Sequence, residues 1–168
     1  MSSLRISEIF YSLQGESNTV GIPTVFIRLT GCPLRCNYCD TAYAFTGGEK
    51  KDIKDIITEV KSYGTRYVTV TGGEPLAQSD CLELMTRLLD LDYIVSLETS
   101  GAINVSLVDS RAIKIMDLKT PSSGELDKNL YQNLQYLTKA DQVKFVIGND
   151  EDYRWAKQIL SEYQLPDK

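Results

Sequence analysis

Five short runs rich in β-branched residues, spaced widely enough for crossover connections, constrain this chain more than any other feature of its sequence. They are Thr24 to Thr30 (TVFIRLT), Tyr67 to Thr71 (YVTVT), Tyr93 to Glu98 (YIVSLE), Ala112 to Leu118 (AIKIMDL) and Gln142 to Ile147 (QVKFVI). Helical periodicity falls between several of them and after the last. It covers Lys51 to Tyr63, where Ile53, Ile56, Ile57 and Val60 share one face, then Asp80 to Leu89, Leu126 to Leu137 and Asp150 to Tyr163. This alternation predicts an α/β fold: a mostly parallel sheet with right-handed crossover helices, doubly wound or curled into a partial (β/α) barrel. In such folds ligands gather at the carboxyl ends of the strands. The segments at four of those ends are polar or glycine-rich: TGCPLRCNYCDT, TGGEP, ETSG and DLKTPSSGE.

At 168 residues the chain is expected to form a single domain, residues 1–168, around one core. No apolar run approaches the roughly 20 residues needed to cross a bilayer, and the first residues lack a signal-peptide pattern. A cytoplasmic protein with no membrane partner is expected. The net charge of −5 and the lack of a Lys/Arg-rich run argue against a nucleic-acid surface and for a small-molecule partner. The absence of histidine excludes a Ser-His-Asp or Cys-His site, a His-ligated catalytic zinc and an imidazole proton shuttle.

Three of the four cysteines, Cys32, Cys36 and Cys39, lie within eight residues of one another in a CxxxCxxC pattern. Chance would place this spacing in such a chain roughly two times in a thousand, and in a cytosolic setting the clustering reads as metal binding. Structural zinc normally takes four closed ligands, and neither a second CxxC nor a histidine is present to complete the set. A 4Fe-4S cluster held by three thiolates instead leaves one iron open for chemistry. Gly31, Pro33 and Asn37 suit a loop that wraps such a cluster closely. Cys81, alone on an amphipathic segment, reads as a small core residue.

CxxxCxxC after one strand and GGEP after the next resemble the radical S-adenosylmethionine superfamily. YSLQGE (Tyr11 to Glu16), FIRLTGC (Phe26 to Cys32), CNYCDT (Cys36 to Thr41), ETSG (Glu98 to Gly101), DLKTPSSGE (Asp117 to Glu125) and DQVKFV (Asp141 to Val146) narrow the resemblance to the 7-carboxy-7-deazaguanine synthase family. It implies a partial barrel of radical S-adenosylmethionine type and a 4Fe-4S cluster on Cys32, Cys36 and Cys39. It also implies S-adenosyl-L-methionine as cofactor and Mg2+ as an assisting ion. The implied reaction is a lyase step of queuosine biosynthesis: 6-carboxy-5,6,7,8-tetrahydropterin loses hydrogen at C6, its ring contracts, ammonia leaves and 7-carboxy-7-deazaguanine forms. A flavodoxin-like electron donor and a homodimer go with the family. So do a further strand and a histidine-bearing tail, for which no counterpart follows Lys168. A glycyl-radical activase and a non-catalytic metal scaffold are the competing readings.

By the same resemblance, Tyr38, Cys39, Asp40, Gly72, Gly73, Gly101, Gln142, Val143 and Lys144 address the cofactor. Leu13, Gln14, Gly15, Arg28 and Thr99 address the substrate, and Thr41 holds magnesium. Several of these positions have a plainer alternative. Gly72 and Gly73, followed by Pro75, also suit any strand-to-helix turn. Thr41 also suits a cap. Arg28, on the strand face opposite Val25, Ile27 and Leu29, could clamp a carboxylate or form an ion pair with Glu16. Lys119, Ser122, Ser123 and Glu125 fit either the cavity mouth or an ordinary solvated loop.

Overall fold

The computed structural model describes residues 2–165; Pro166, Asp167 and Lys168, at the end of the chain, lie outside the described residues. Seven strands form one mixed sheet: β1 (Ser3–Leu13), β2 (Pro23–Leu29), β3 (Glu49–Asp52), β4 (Tyr67–Gly72), β5 (Ile94–Thr99), β6 (Ile113–Asp117) and β7 (Gln142–Lys144). Their order is β3-β1-β2-β4-β5-β6-β7, with β2 and β4 to β7 parallel and β1 antiparallel to both β2 and β3. The expected parallel sheet is thus present and not closed. It is extended at one edge by an antiparallel pair that the strand-like runs did not announce.

Helices α1 (Ile53–Ser62), α2 (Cys81–Leu89) and α3 (Asp150–Glu162) fall within the segments expected to be helical. Their apolar stripes, Ile53, Ile56, Ile57 and Val60 on α1 and Leu84, Met85 and Leu88 on α2, pack with Val25, Ile27, Leu29, Val68, Val70, Val95 and Leu97 in one buried core. Cys81 is fully buried in that core, as expected. Burial pushes its thiol up to about 12.

The segment from Leu126 to Leu137 corrects the helical expectation. It forms two 3-10 pieces, 126–128 and 131–136. Its asparagines serve other backbone instead of allowing a continuous helix. Asn129 donates to Lys119 O and accepts from Lys119 N, both at 2.8 Å. Asn133, wholly buried, donates to Gly101 O and Ile103 O and accepts from Val105 N. The Asn133 bonds hold the long connection between β5 and β6, which contains no helix, and the Asn129 bonds hold the segment that follows β6.

The other face of the sheet is largely polar, with a few apolar residues. Phe26 and Arg28 on β2, Thr69 and Thr71 on β4, Ser96 and Glu98 on β5, Asp117 on β6 and Lys144 on β7 follow the two-residue alternation and the strand register. Its lower layer is closed by Thr69, whose hydroxyl meets Ser96 at 2.8 Å and accepts from Gln14 Nε2 at 3.1 Å.

Candidate active site

That polar face, with the loops at the strand ends, encloses a cavity of about 530 Å³. Cys32, Cys36 and Cys39 line it from the loop after β2, all three unpaired and half-buried. The loop starts at Gly31, whose φ of +102° suits a residue without a side chain. Gly31 N–H donates to Ala44 O at 2.7 Å, and Leu34 N–H donates to Cys32 Sγ at 3.4 Å. Burial pushes the Cys32 and Cys36 thiols up; at Cys36 the nearby Lys119 ammonium works in the opposite direction.

The TPSSGE stretch braces this loop from below. Ser123 O accepts from Asn37 N at 2.9 Å, Ser122 O accepts from Asn37 Nδ2 at 3.1 Å, and the Glu125 carboxylate accepts from Arg35 N. Ser123 is buried, and its hydroxyl donates to Thr120 O. Ser122, Ser123 and Glu125 therefore stand behind the cysteine loop and outside the cavity lining, whereas Lys119 lines the cavity and pairs with Asp117 at 3.0 Å. Burial works against the Lys119 charge, yet Asp117 beside it holds its pKa above the usual lysine value. Asp117 Oδ1 is buried without a hydrogen-bond partner among the described residues.

Gly72 and Gly73 pass so close to the end of β2 that neither has space for a side chain. A Cβ on Gly73 would lie 2.7 Å from Cys32 Cβ and closer still to Gly31 O, and one on Gly72 would strike the Leu29 backbone. Glu74 follows, fully buried. Its carboxylate accepts from the Thr99 hydroxyl at 3.0 Å, Ser100 N at 2.7 Å, Ser100 Oγ at 2.6 Å and Leu76 N at 3.0 Å. Glu74 N–H donates to Gly31 O at 2.8 Å. One residue thus ties together the ends of β2, β4 and β5. Sequence reasoning passed over it as part of a turn motif, although a carboxylate between Gly-Gly and Pro with no neighbouring cation was a visible signal.

Of the remaining residues singled out from the sequence, Gln14, Gly15, Arg28, Tyr38, Asp40, Thr41, Thr99 and Lys144 also line the cavity. Thr41 donates to Asp40 Oδ1 at 2.8 Å. Leu13, Gly101, Gln142 and Val143 do not line it. Leu13 is exposed, Gly101 lies against Met116, Val143 packs on the core and Gln142 accepts from Asn18 N at 3.1 Å. The alternative of an Arg28–Glu16 ion pair is not realised: Arg28 pairs with Glu8 at 2.7 Å and Glu16 with Lys144 at 2.6 Å. Residues missed in the sequence complete the wall, notably Phe10, Phe26, Glu98, Ile115 and Asp117.

The donor set suits a 4Fe-4S cluster: three unpaired thiols from one loop face the same cavity, with side-chain-free backbone at Gly72 and Gly73 beside them. Among the described residues no three His, Cys, Asp or Glu side chains are arranged to hold a single metal ion.

The family model of the Radical SAM superfamily matches residues 26–161. Among curated proteins, the 7-carboxy-7-deazaguanine synthase of Koribacter versatilis is 42% identical over 98% of this chain and 74% of its own length. That of Chlorobaculum tepidum is 42% identical over 96% and 75%, and that of Thermoplasma acidophilum 39% identical over 94% and 77%. The crystal structure of QueE from Escherichia coli superposes with a TM-score of 0.81 at 26% identity, covering 95% of this chain and 78% of that one. The chain belongs to the 7-carboxy-7-deazaguanine synthase family of the radical S-adenosylmethionine superfamily.

Proposed function

We propose that this chain is a single radical S-adenosylmethionine core domain that converts 6-carboxy-5,6,7,8-tetrahydropterin to 7-carboxy-7-deazaguanine. The observation that carries the reading is the convergence of Cys32, Cys36, Cys39, the Gly72-Gly73 backbone and Arg28 on one cavity. A 4Fe-4S cluster with S-adenosyl-L-methionine supplies, when bound, the radical that takes hydrogen from the substrate. The three cysteines hold that cluster. Backbone at Gly72 and Gly73 and the side chains of Tyr38, Asp40 and Lys144 receive the cofactor, and Gln14, Gly15, Arg28 and Thr99 receive the pterin.

Arg28 matches the carboxylate of the substrate in charge and in planar geometry. Phe10 and Phe26, stacked with ring centroids 4.9 Å apart, give the wall beneath it an apolar surface that excludes water. With no histidine in the chain, protons released or taken up as ammonia leaves have Glu98, Asp117 and Lys119 as titratable neighbours. The Thr41 hydroxyl is the proposed protein ligand of Mg2+, with substrate oxygens and water completing its octahedron. A flavodoxin-like donor and a homodimer complete the proposal.

Anaerobic reconstitution with iron and sulfide tests it. Supplied with S-adenosyl-L-methionine, reductant, Mg2+ and the carboxytetrahydropterin, the protein is expected to release the deazapurine, identified by mass. Alanine at Cys32, Cys36 or Cys39 is expected to abolish cluster absorbance and turnover, while Cys81→Ala keeps both. Protein that stays colourless, or that is brown yet never cleaves the cofactor, overturns the reading.

A further inference from the structure

Arg28 is held from behind by two residues outside the cavity lining. Its Nε donates to Glu8 Oε1 at 2.7 Å, and the Tyr43 hydroxyl donates to the same oxygen at 2.6 Å. The Arg28 guanidinium carbon lies 5.9 Å from the ring centroids of both Phe10 and Tyr43. Among the described residues Arg28 hydrogen-bonds through Nε alone, so both terminal nitrogens remain for a ligand. Its side chain is only 17% exposed, and its open side is the cavity.

The backbone makes this arrangement on purpose-built register. Ile6 pairs with Leu29, both pointing into the core, and continuing that register would set Ser7 opposite Arg28. A bulge between Ile6 and Glu8 skips one residue and pairs Glu8 with Arg28, so a carboxylate and not a hydroxyl shares the face of the guanidinium. The displaced Ser7 meets the Thr30 hydroxyl at 2.7 Å. Tyr43 reaches Glu8 from the 3-10 turn that follows the cysteine loop.

We infer that Glu8 and Tyr43 are positioning residues: by engaging Nε, they turn the two terminal nitrogens of Arg28 into the cavity as a fork for the carboxylate of the substrate. The inference rests on the substrate reading of Arg28 given above. A carboxylate on Nε fixes the plane of a guanidinium, and the opposite edge is then set for end-on bidentate binding.

Steady-state kinetics and binding on the reconstituted holoenzyme test it. Glu8→Ala is expected to raise KM for the carboxylated substrate roughly tenfold, with kcat changed by no more than about twofold. Glu8→Gln, whose amide oxygen still accepts from Nε, is expected to recover most of that loss. Tyr43→Phe, at an exposed position, is expected to raise KM about threefold and carries the test if Glu8→Ala proves insoluble. Binding of a tetrahydropterin without the 6-carboxylate, and of S-adenosyl-L-methionine, is expected to be unchanged. In an Arg28→Ala background, Glu8→Ala is expected to add nothing. Additive losses, or equal losses for the decarboxylated ligand, overturn the positioning role while leaving Arg28 as substrate ligand. An Arg28→Ala variant with an unchanged KM overturns the Arg28 reading itself.

Discussion

Glu16 and Lys144 meet at 2.6 Å although 128 residues separate them and three strands, β4, β5 and β6, lie between β2 and β7. The β1–β2 hairpin loop therefore reaches over the cavity to the far side of the sheet, and a second bond, from Asn18 N to Gln142 Oε1, accompanies the ion pair. A sheet that is open by its hydrogen bonds is thus strapped across its mouth. Both charged groups are partly exposed, so the pair itself adds little stability. Lys144→Ala is expected to shift unfolding free energy by less than about 1 kcal/mol in urea denaturation and to weaken S-adenosyl-L-methionine binding measurably. A loss of stability with unaltered cofactor affinity would make the contact a strut.

Gly73→Ala tests the close approach of GGEP to the cysteine loop. The added methyl has nowhere to go except into Gly31 O and Cys32 Cβ. The expected result is protein that folds by circular dichroism, is destabilised by about 1–3 kcal/mol, and takes up far less iron on reconstitution than wild type.

Glu74→Gln keeps the shape of the buried carboxylate but presents an NH2 to groups that are themselves donors: Leu76 N, Ser100 N and two hydroxyls. The backbone donors cannot turn away, so a cost of about 1–3 kcal/mol follows from unsatisfied buried groups. Faster amide exchange at Ser100 and Leu76 would locate the damage.

Asp152, in the first turn of α3, accepts from Ser122 N at 2.9 Å, from the Ser122 hydroxyl and from Gly148 N at 2.8 Å. Burial alone would raise its pKa, but the bonds from Ser122 and Gly148 outweigh it and hold the carboxyl below its ordinary value. The sign follows: this stabilisation is complete above the unfolded-state value of about 4 and is lost as pH falls through the lower folded value. Asp152→Asn is expected to be less stable than wild type at pH 7, with the gap narrowing as pH drops below about 4. A gap that widens on acidification would refute the assignment.

The sequence made the parallel strands legible because their β-branched runs are short and bounded by turn residues. The antiparallel edge was not legible, for identifiable reasons. In β1 the alternation of Leu4 and Ile6 is broken by the bulge before Glu8, and β3 is EKKD, with no apolar residue to mark it. The Leu126 to Leu137 repeat looked helical, but its asparagines are clamps. Within the site, the cysteines carried unmistakable spacing, and Gly72-Gly73 became legible only beside them. Glu98 and Asp117 did not, although their signal was present. Polar residues at alternate positions in strands otherwise expected to be covered on both faces, as Thr69, Thr71, Ser96 and Glu98 are, mark a face that opens on a cavity.

The bracing of the cysteine loop by Asn37–Ser122 and Asn37–Ser123, itself anchored by Asp152, has a consequence for biogenesis. The thiols leave the ribosome well before Ser122, Ser123 and Asp152, the residues that fix their arrangement. Iron offered to a nascent chain before then would meet three loosely tethered sulfurs, so faithful loading belongs after the segment carrying Asp152 has emerged and docked.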